Sequence, residues 1–125
     1  MILSFGWTEQ YLPPNGPKDT TRRVWSARHL ASWQKAWDEG RLEHDAANKC
    51  LAYGGKKIGR ITLTERPTLE TLAQMPEADL IREGGMCDSV EEFIDRYFRG
   101  DRSVEVAVVR FQYKPFWATV KADTP

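Results

Sequence analysis

The segment Gly16–Arg23 concentrates side chains whose types and spacing are suited to chemistry. Thr21 and Arg23 are two residues apart, so a strand places both on one face. Lys18 would lie on the opposite face, unless the chain bends within or next to the proline- and glycine-rich residues 11–17. A lysine amine beside a hydroxyl can remove its proton when burial or a nearby cation lowers the amine pKa. The segment is therefore compatible either with a Lys18 base and a Thr21 nucleophile, or with a solvated lysine and ordinary strand threonines.

Two arginines and two aromatic residues extend this candidate site. Arg22 and Arg23 carry guanidinium groups, which can grip a phosphate or a base edge. Trp7 and Tyr11 flank the segment, and aromatic rings of this kind can stack on a nucleobase. We therefore take Trp7, Tyr11, Arg22 and Arg23 as candidate substrate-binding residues.

Composition restricts the class of protein. The 125 residues are 41% hydrophobic and 29% charged, which is typical of one globular domain and excludes wholesale disorder. Eighteen basic and eighteen acidic side chains exclude a polycation. The charge is nevertheless uneven: residues 16–60 hold ten basic and five acidic side chains, whereas residues 65–105 hold five and eleven. The basic part can form a positive surface, or the two parts can attract each other in the fold.

Several classes of site and location are not expected. No apolar run is long enough to span a membrane, and residues 1–7 lack the basic and hydrophobic regions of a secretory signal. Cys50 and Cys87 form no CxxC pair, so we expect free thiols in a reducing cytoplasm. Together with His29 and His44 they match no zinc spacing, so we expect no metal and no cofactor.

Hydrophobic periodicity predicts the elements that must position these residues. Strands are predicted over 1–7, 20–25, 57–64, 104–113 and 116–121. Helices are predicted over 26–40 and 89–98, with short helical turns after Thr68 and over 78–82, and an irregular or partly helical connection over 41–55.

Capping residues and one apolar stripe support the two longer helices. Ser26 and Ser89 are typical N-caps, and Glu92 completes a capping box with Ser89. Leu30, Trp33 and Trp37 form a stripe at helical spacing, which indicates core packing more than base stacking. This order of elements predicts an α+β fold with a small, curved or closed sheet.

The signature Gly16-x-Lys18-x-x-Thr21-x-Arg23 resembles that of ASCH domains, a family in the PUA-like superfamily. The resemblance extends through most of the chain. It includes the opening residues 2–5, the acidic-glycine step Glu83-Gly84-Gly85, the helix at 89–98 and the valine-rich strand at 104–111.

This resemblance implies a single PUA-like domain over residues 1–125, a small β-barrel with peripheral helices and a cleft for RNA or a nucleoside. One bacterial branch of the family hydrolyses the amide of N4-acetylcytidine with a lysine, a threonine and a glutamate. Carried over by motif, these residues are Lys18, Thr21 and Glu83. The chain departs from that branch by a Trp-rich helical insertion near 26–50.

The implied reaction assigns a role to each residue. Neutral Lys18 accepts the Thr21 proton, the hydroxyl oxygen attacks an amide carbonyl, and backbone N–H groups or Arg23 stabilise the oxyanion. Glu83 carries a proton to the leaving amine and then activates water. Two alternatives stay open: a non-catalytic RNA-binding module that holds phosphates with Lys18, Arg22 and Arg23, and a regulatory protein whose acidic part docks a basic partner.

Overall fold

The computed structural model describes residues 1–116. Its strands are β1 (Ile2–Ser4), β2 (Thr20–Arg23), β3 (Glu43–Ala47), β4 (Lys57–Leu63), β5 (Thr68–Thr71) and β6 (Glu105–Pro115). Its α-helices are α1 (Ala27–Asp38), α2 (Asp79–Arg82) and α3 (Val90–Tyr97), and short 3-10 helices cover Gly6–Tyr11, Leu51–Tyr53 and Leu72–Gln74. The six strands form one mixed sheet that curls into a half-barrel, which confirms the predicted α+β class with a curved sheet.

The long strand β6 organises the sheet. The strand order is β1-β3-β4-β6-β2, and β5 also pairs with β6. The first half of β6 pairs with β2 and β5, whereas residues Phe111–Pro115 pair with β4. All pairings are antiparallel except that of β1 with β3. Val106–Val109 are buried on both faces, which explains why this stretch is a continuous apolar run.

Two apolar clusters lie against the sheet. The first contains Trp33 of α1, and the second is built around α3 and the 3-10 turn before α2. Trp33 is fully buried and stacks on Trp25 with ring centroids 5.4 Å apart, while Trp37 is half-buried against the same cluster. The predicted role of the tryptophan stripe in core packing is thus confirmed.

Both predicted helix caps are present. Ser26 accepts a hydrogen bond from the His29 N–H at 3.1 Å, and Ser89 accepts one from the Glu92 N–H at 3.0 Å. The Glu92 carboxylate turns to the N–H of Asp88 rather than to that of Ser89. Among the described residues, no helix has the length and apolar character needed to cross a membrane.

Four segment predictions need comment. The connection predicted over 41–55 contains strand β3, which sequence analysis missed because its inward residues His44, Ala46 and Ala47 are polar or small. The helical segment predicted after Thr68 is shorter than expected, since Thr68–Thr71 pair with β6 as β5 and only Leu72–Gln74 form a 3-10 turn. The predicted strand 1–7 ends at Ser4. The predicted strand 116–121 lies, apart from its first residue, outside the described residues.

Candidate functional site

The breaker segment before β2 folds Lys18 back into the molecule. A Cβ on Gly16 would collide with the backbone of Tyr11, so only glycine fits this turn. The Gly16 N–H donates to the Leu12 carbonyl at 3.1 Å, and the Lys18 N–H donates to the Tyr11 carbonyl at 2.9 Å. The bend that the spacing of Lys18 and Thr21 requires is therefore present.

Lys18 is buried, with 2% of its surface exposed. Its Nζ donates to the Thr20 carbonyl at 2.9 Å, to the Glu83 carbonyl at 3.0 Å and to Glu83 Oε1 at 3.4 Å. These acceptors use all three donors of an ammonium group. Burial lowers the Lys18 pKa, while the negative charge of Glu83 opposes that shift.

Glu83 reaches this amine from a distant part of the chain. It directly follows α2, and its N–H donates to the Asp79 carbonyl at 2.9 Å. The following Gly84 and Gly85 have positive φ values of 136° and 71°, which allow the chain to turn away at once. The Glu83 side chain is 3% exposed, and both its oxygens accept hydrogen bonds from cations.

Thr21 and Arg23 share one face of β2, as the spacing predicts. The Arg23 Nε donates to Thr21 Oγ1 at 2.9 Å, and Nη2 donates to the Ser4 carbonyl at 2.5 Å. The guanidinium also lies 5.7 Å from the centre of the Phe5 ring. Within residues 1–116, no hydrogen bond joins the Lys18 amine to the Thr21 hydroxyl, so proton transfer between them requires a rearrangement of these side chains.

Lys18, Thr21 and Glu83 line one open pocket with a volume of about 490 Å³. Arg23 and Trp7 also line it, and Phe5, Met86, Phe93 and Tyr97 form an apolar side. This volume is within the usual range for small-molecule sites. The structure thus brings the three predicted catalytic residues to a common cavity.

The two predicted stacking residues have different positions. Trp7 is 55% exposed at the pocket and stacks on Tyr97, with ring centroids 5.1 Å apart and planes inclined by 26°. Tyr11 is not among the residues that line the pocket. The Tyr11 ring contacts Trp7 edge-on, with ring centroids 6.1 Å apart. The predicted contact of Tyr11 with substrate is therefore not supported by this geometry.

Arg22 also differs from its predicted role. Although it borders the pocket, its side chain is fully buried. It donates to Glu70 Oε1 and Oε2 at 2.8 and 3.2 Å, to Asp79 Oδ2 at 2.6 Å and to Glu83 Oε2 at 2.8 Å. Burial opposes the charged form, but these bonds outweigh it and raise the Arg22 pKa. A guanidinium held in this way is not free to grip a phosphate.

Two partners of Arg22, Glu70 and Asp79, were not predicted from the sequence. Asp79 also accepts from Arg110 Nη2 at 2.9 Å, and Arg110 Nη1 donates to Thr20 Oγ1 at 3.0 Å. Hydrogen bonds to the two arginines lower the Asp79 pKa against the opposing effect of burial. These residues are spread over β2, α2 and β6 at spacings without a local period, so no pattern in the sequence points to them.

The ion pairs of the site join the basic and the acidic parts of the sequence. Lys18 and Arg22 of the basic part pair with Glu70, Asp79 and Glu83 of the acidic part. At this place the two parts of the sequence attract and neutralise each other.

The remaining metal-capable and nucleophilic residues add little to the site. Cys50 is exposed and lines the pocket beside Lys49, a position that sequence analysis did not anticipate, and Cys87 is buried. Both thiols are free. In the part of the chain that the structure describes, no group of three or more His, Cys, Asp and Glu side chains could hold a metal ion.

Comparison of this chain with protein-family models, with curated proteins and with solved structures finds no significant match. The site is therefore defined by its own geometry: a buried lysine–glutamate pair, a threonine hydroxyl and an arginine at the wall of an open, partly aromatic pocket.

Proposed function

We propose that this chain is an ASCH-type, PUA-like domain that binds a modified nucleoside, free or within RNA, and hydrolyses its N-acyl amide. The observation that carries the proposal is that the buried Lys18–Glu83 pair and Thr21 line the same open pocket. A buried amine with a lowered pKa is a suitable base for a neighbouring hydroxyl, and a carboxylate next to it is a suitable proton carrier.

The proposed reaction proceeds in two halves. In the first, neutral Lys18 takes the Thr21 proton while Oγ1 bonds to the amide carbon. The tetrahedral intermediate then breaks its C–N bond, and the amine leaves with a proton delivered through Glu83. In the second, Glu83 takes a proton from the water that attacks the acyl-threonine, the bond between the acyl carbon and Oγ1 breaks, and the proton returns to Oγ1 as the carboxylic acid leaves. The sum is amide plus water giving amine plus acid.

The pocket has groups that suit a nucleoside amide. Trp7 offers an exposed ring for a flat heterocycle. Arg23 holds Thr21 Oγ1 by its Nε, so its positive charge lies next to the site where an oxyanion would develop. The apolar side formed by Phe93 and Tyr97 excludes water from a bound ring.

The phosphate-holding alternative receives less support from the same contacts. It relies on Lys18, Arg22 and Arg23. Lys18 and Arg22 are buried and paired with carboxylates, so binding a phosphate would first require breaking those pairs.

The test is release of acetate from N4-acetylcytidine by the full chain. Thr21→Val preserves shape and removes the nucleophile, so hydrolysis should disappear. Thr8→Val is the matched control, because Thr8 lines the same pocket but donates its hydroxyl to the Phe5 carbonyl at 2.6 Å. The reaction would be refuted by equal rates for wild type and Thr21→Val. A binding constant for RNA that falls steeply with salt, without hydrolysis, would favour the phosphate-holding module.

A further inference from the structure

Arg22 contacts the proposed proton carrier without being exposed to substrate. We propose that Arg22 is a positioning residue, held by Glu70 and Asp79, that fixes the Glu83 carboxylate and weakens the ion pair of Glu83 with Lys18. The inference rests on the proposed function where it concerns the reaction, whereas its geometric part can be tested without it.

The guanidinium of Arg22 is fixed on two sides. Nε and Nη2 form a fork on Glu70, and Nη2 also reaches Asp79 at 2.6 Å. Asp79 is itself held by Arg110. Because the guanidinium is planar and rigid, these contacts determine where Nη1 points, and it donates to Glu83 Oε2 at 2.8 Å.

The bond lengths show how Glu83 is shared between the two cations. Its Oε2 lies 2.8 Å from Arg22, whereas its Oε1 lies 3.4 Å from Lys18 Nζ. A carboxylate drawn toward Arg22 stabilises the Lys18 ammonium less than one in close contact would. Arg22 thereby favours the neutral amine that the reaction needs.

Burial lowers the Lys18 pKa most, and the charged groups around the amine act on it in opposite directions. Glu83, at the end of α2, raises the Lys18 pKa, and Arg22 and Arg23 of β2 lower it. Removing the Arg22 side chain both deletes one cation and frees Glu83 to close on the amine. Either change stabilises the ammonium form.

The experiment follows the Lys18 side chain by NMR in protein with isotope-labelled lysine, titrated with base. The Lys18 pKa should rise toward its usual value in Arg22→Met and in Arg22→Lys, since one ammonium cannot bridge three carboxylates in the guanidinium geometry. Arg66→Met is the matched control, because Arg66 pairs with Asp38 on the surface away from the pocket. It should leave the Lys18 titration unchanged.

Hydrolysis of N4-acetylcytidine supplies the second readout. In Arg22→Lys, the acid limb of the plot of kcat against pH should shift to higher pH together with the Lys18 pKa, while KM stays the same. A Lys18 pKa that moves in a protein without hydrolytic activity would refute the proposed function and uphold the positioning role.

An unchanged Lys18 pKa in either folded Arg22 variant would overturn the inference. If neither variant folds, the wild type decides. Four hydrogen bonds should slow rotation of the Arg22 guanidinium enough to give separate NMR signals for its Nη1 and Nη2 protons. A freely rotating guanidinium would overturn the inference.

Discussion

Glu83→Gln offers the sharpest test of the buried charge cluster, because it removes a charge with almost no change in shape. The carboxylate accepts from Arg22 Nη1 and from Lys18 Nζ. An amide has one oxygen, which can face only one of these cations, so its NH2 group must face the other. The buried NH2 group of the glutamine then faces an N–H donor of either Lys18 or Arg22.

The expected loss of stability follows from burial. Glu83 is 3% exposed, so water cannot replace the lost interactions. Removing one partner of a buried ion pair typically destabilises a protein by about 3–5 kcal/mol. The free energy of unfolding of a domain is about 5–15 kcal/mol in total, so the variant should still fold, with a much reduced free energy of unfolding.

The loss should also depend on pH. Glu83 raises the Lys18 pKa, so that pKa is lower in the folded variant than in the folded wild type. Between the folded pKa and the unfolded value of 10.5, the unfolded chain binds more protons, and the free energy of unfolding rises with pH. Since this window begins at lower pH in the variant, its deficit should shrink as pH rises through it.

Urea denaturation at a series of pH values measures both quantities. Glu43→Gln is the matched control, since Glu43 is largely exposed and only loosely paired with Arg60 at 3.8 Å. It should change stability little at any pH. A Glu83→Gln deficit no larger than that of the control, or one that does not vary with pH, would refute the reasoning.

Three further predictions concern the surrounding fold. Trp33→Ala should lower the free energy of unfolding by about 3–5 kcal/mol in urea titrations, because Trp33 is fully buried, whereas Trp7→Ala at the exposed pocket rim should lower it far less. Burial alone would raise the Asp79 pKa, but hydrogen bonds to arginine lower it. The Asp79 carboxylate therefore contributes its full stabilisation above pH 3.8, the usual Asp pKa, and this contribution is lost as pH falls through the lower pKa of the folded state. Asp79→Asn should make the free energy of unfolding less dependent on pH in this acid range. Gly59→Ala should weaken the pairing of β4 with β6, since a Cβ there would lie 2.9 Å from the Pro115 Cα, and thermal melting should show a lower Tm than for the wild type.

Local patterns in the sequence predicted the elements that depend mainly on residues close together in the chain. Strand β6 is rich in valine, α1 carries a cap and an apolar stripe, and the bend after residues 11–17 follows from proline and glycine. β3 was missed because its buried residues are small or polar. The helical segment predicted after Thr68 is confined to Leu72–Gln74, because pairing of the preceding residues with β6 overrides a weak local preference.

The site shows the same division between local and long-range information. The signature residues Lys18, Thr21 and Arg23 lie close together in the chain, and the motif resemblance added Glu83. The role of Arg22 could not be predicted, because it depends on carboxylates 48 and 57 residues away in the sequence. Such contacts are visible only after the sheet has closed.

The arrangement of β6 has a consequence for how the protein is made. During synthesis the ribosome releases β1 to β5 before β6, yet β2, β4 and β5 all pair with that strand. The nascent chain therefore exposes unpaired strand edges and apolar side chains until residues 105–115 emerge. We expect folding to be delayed until then.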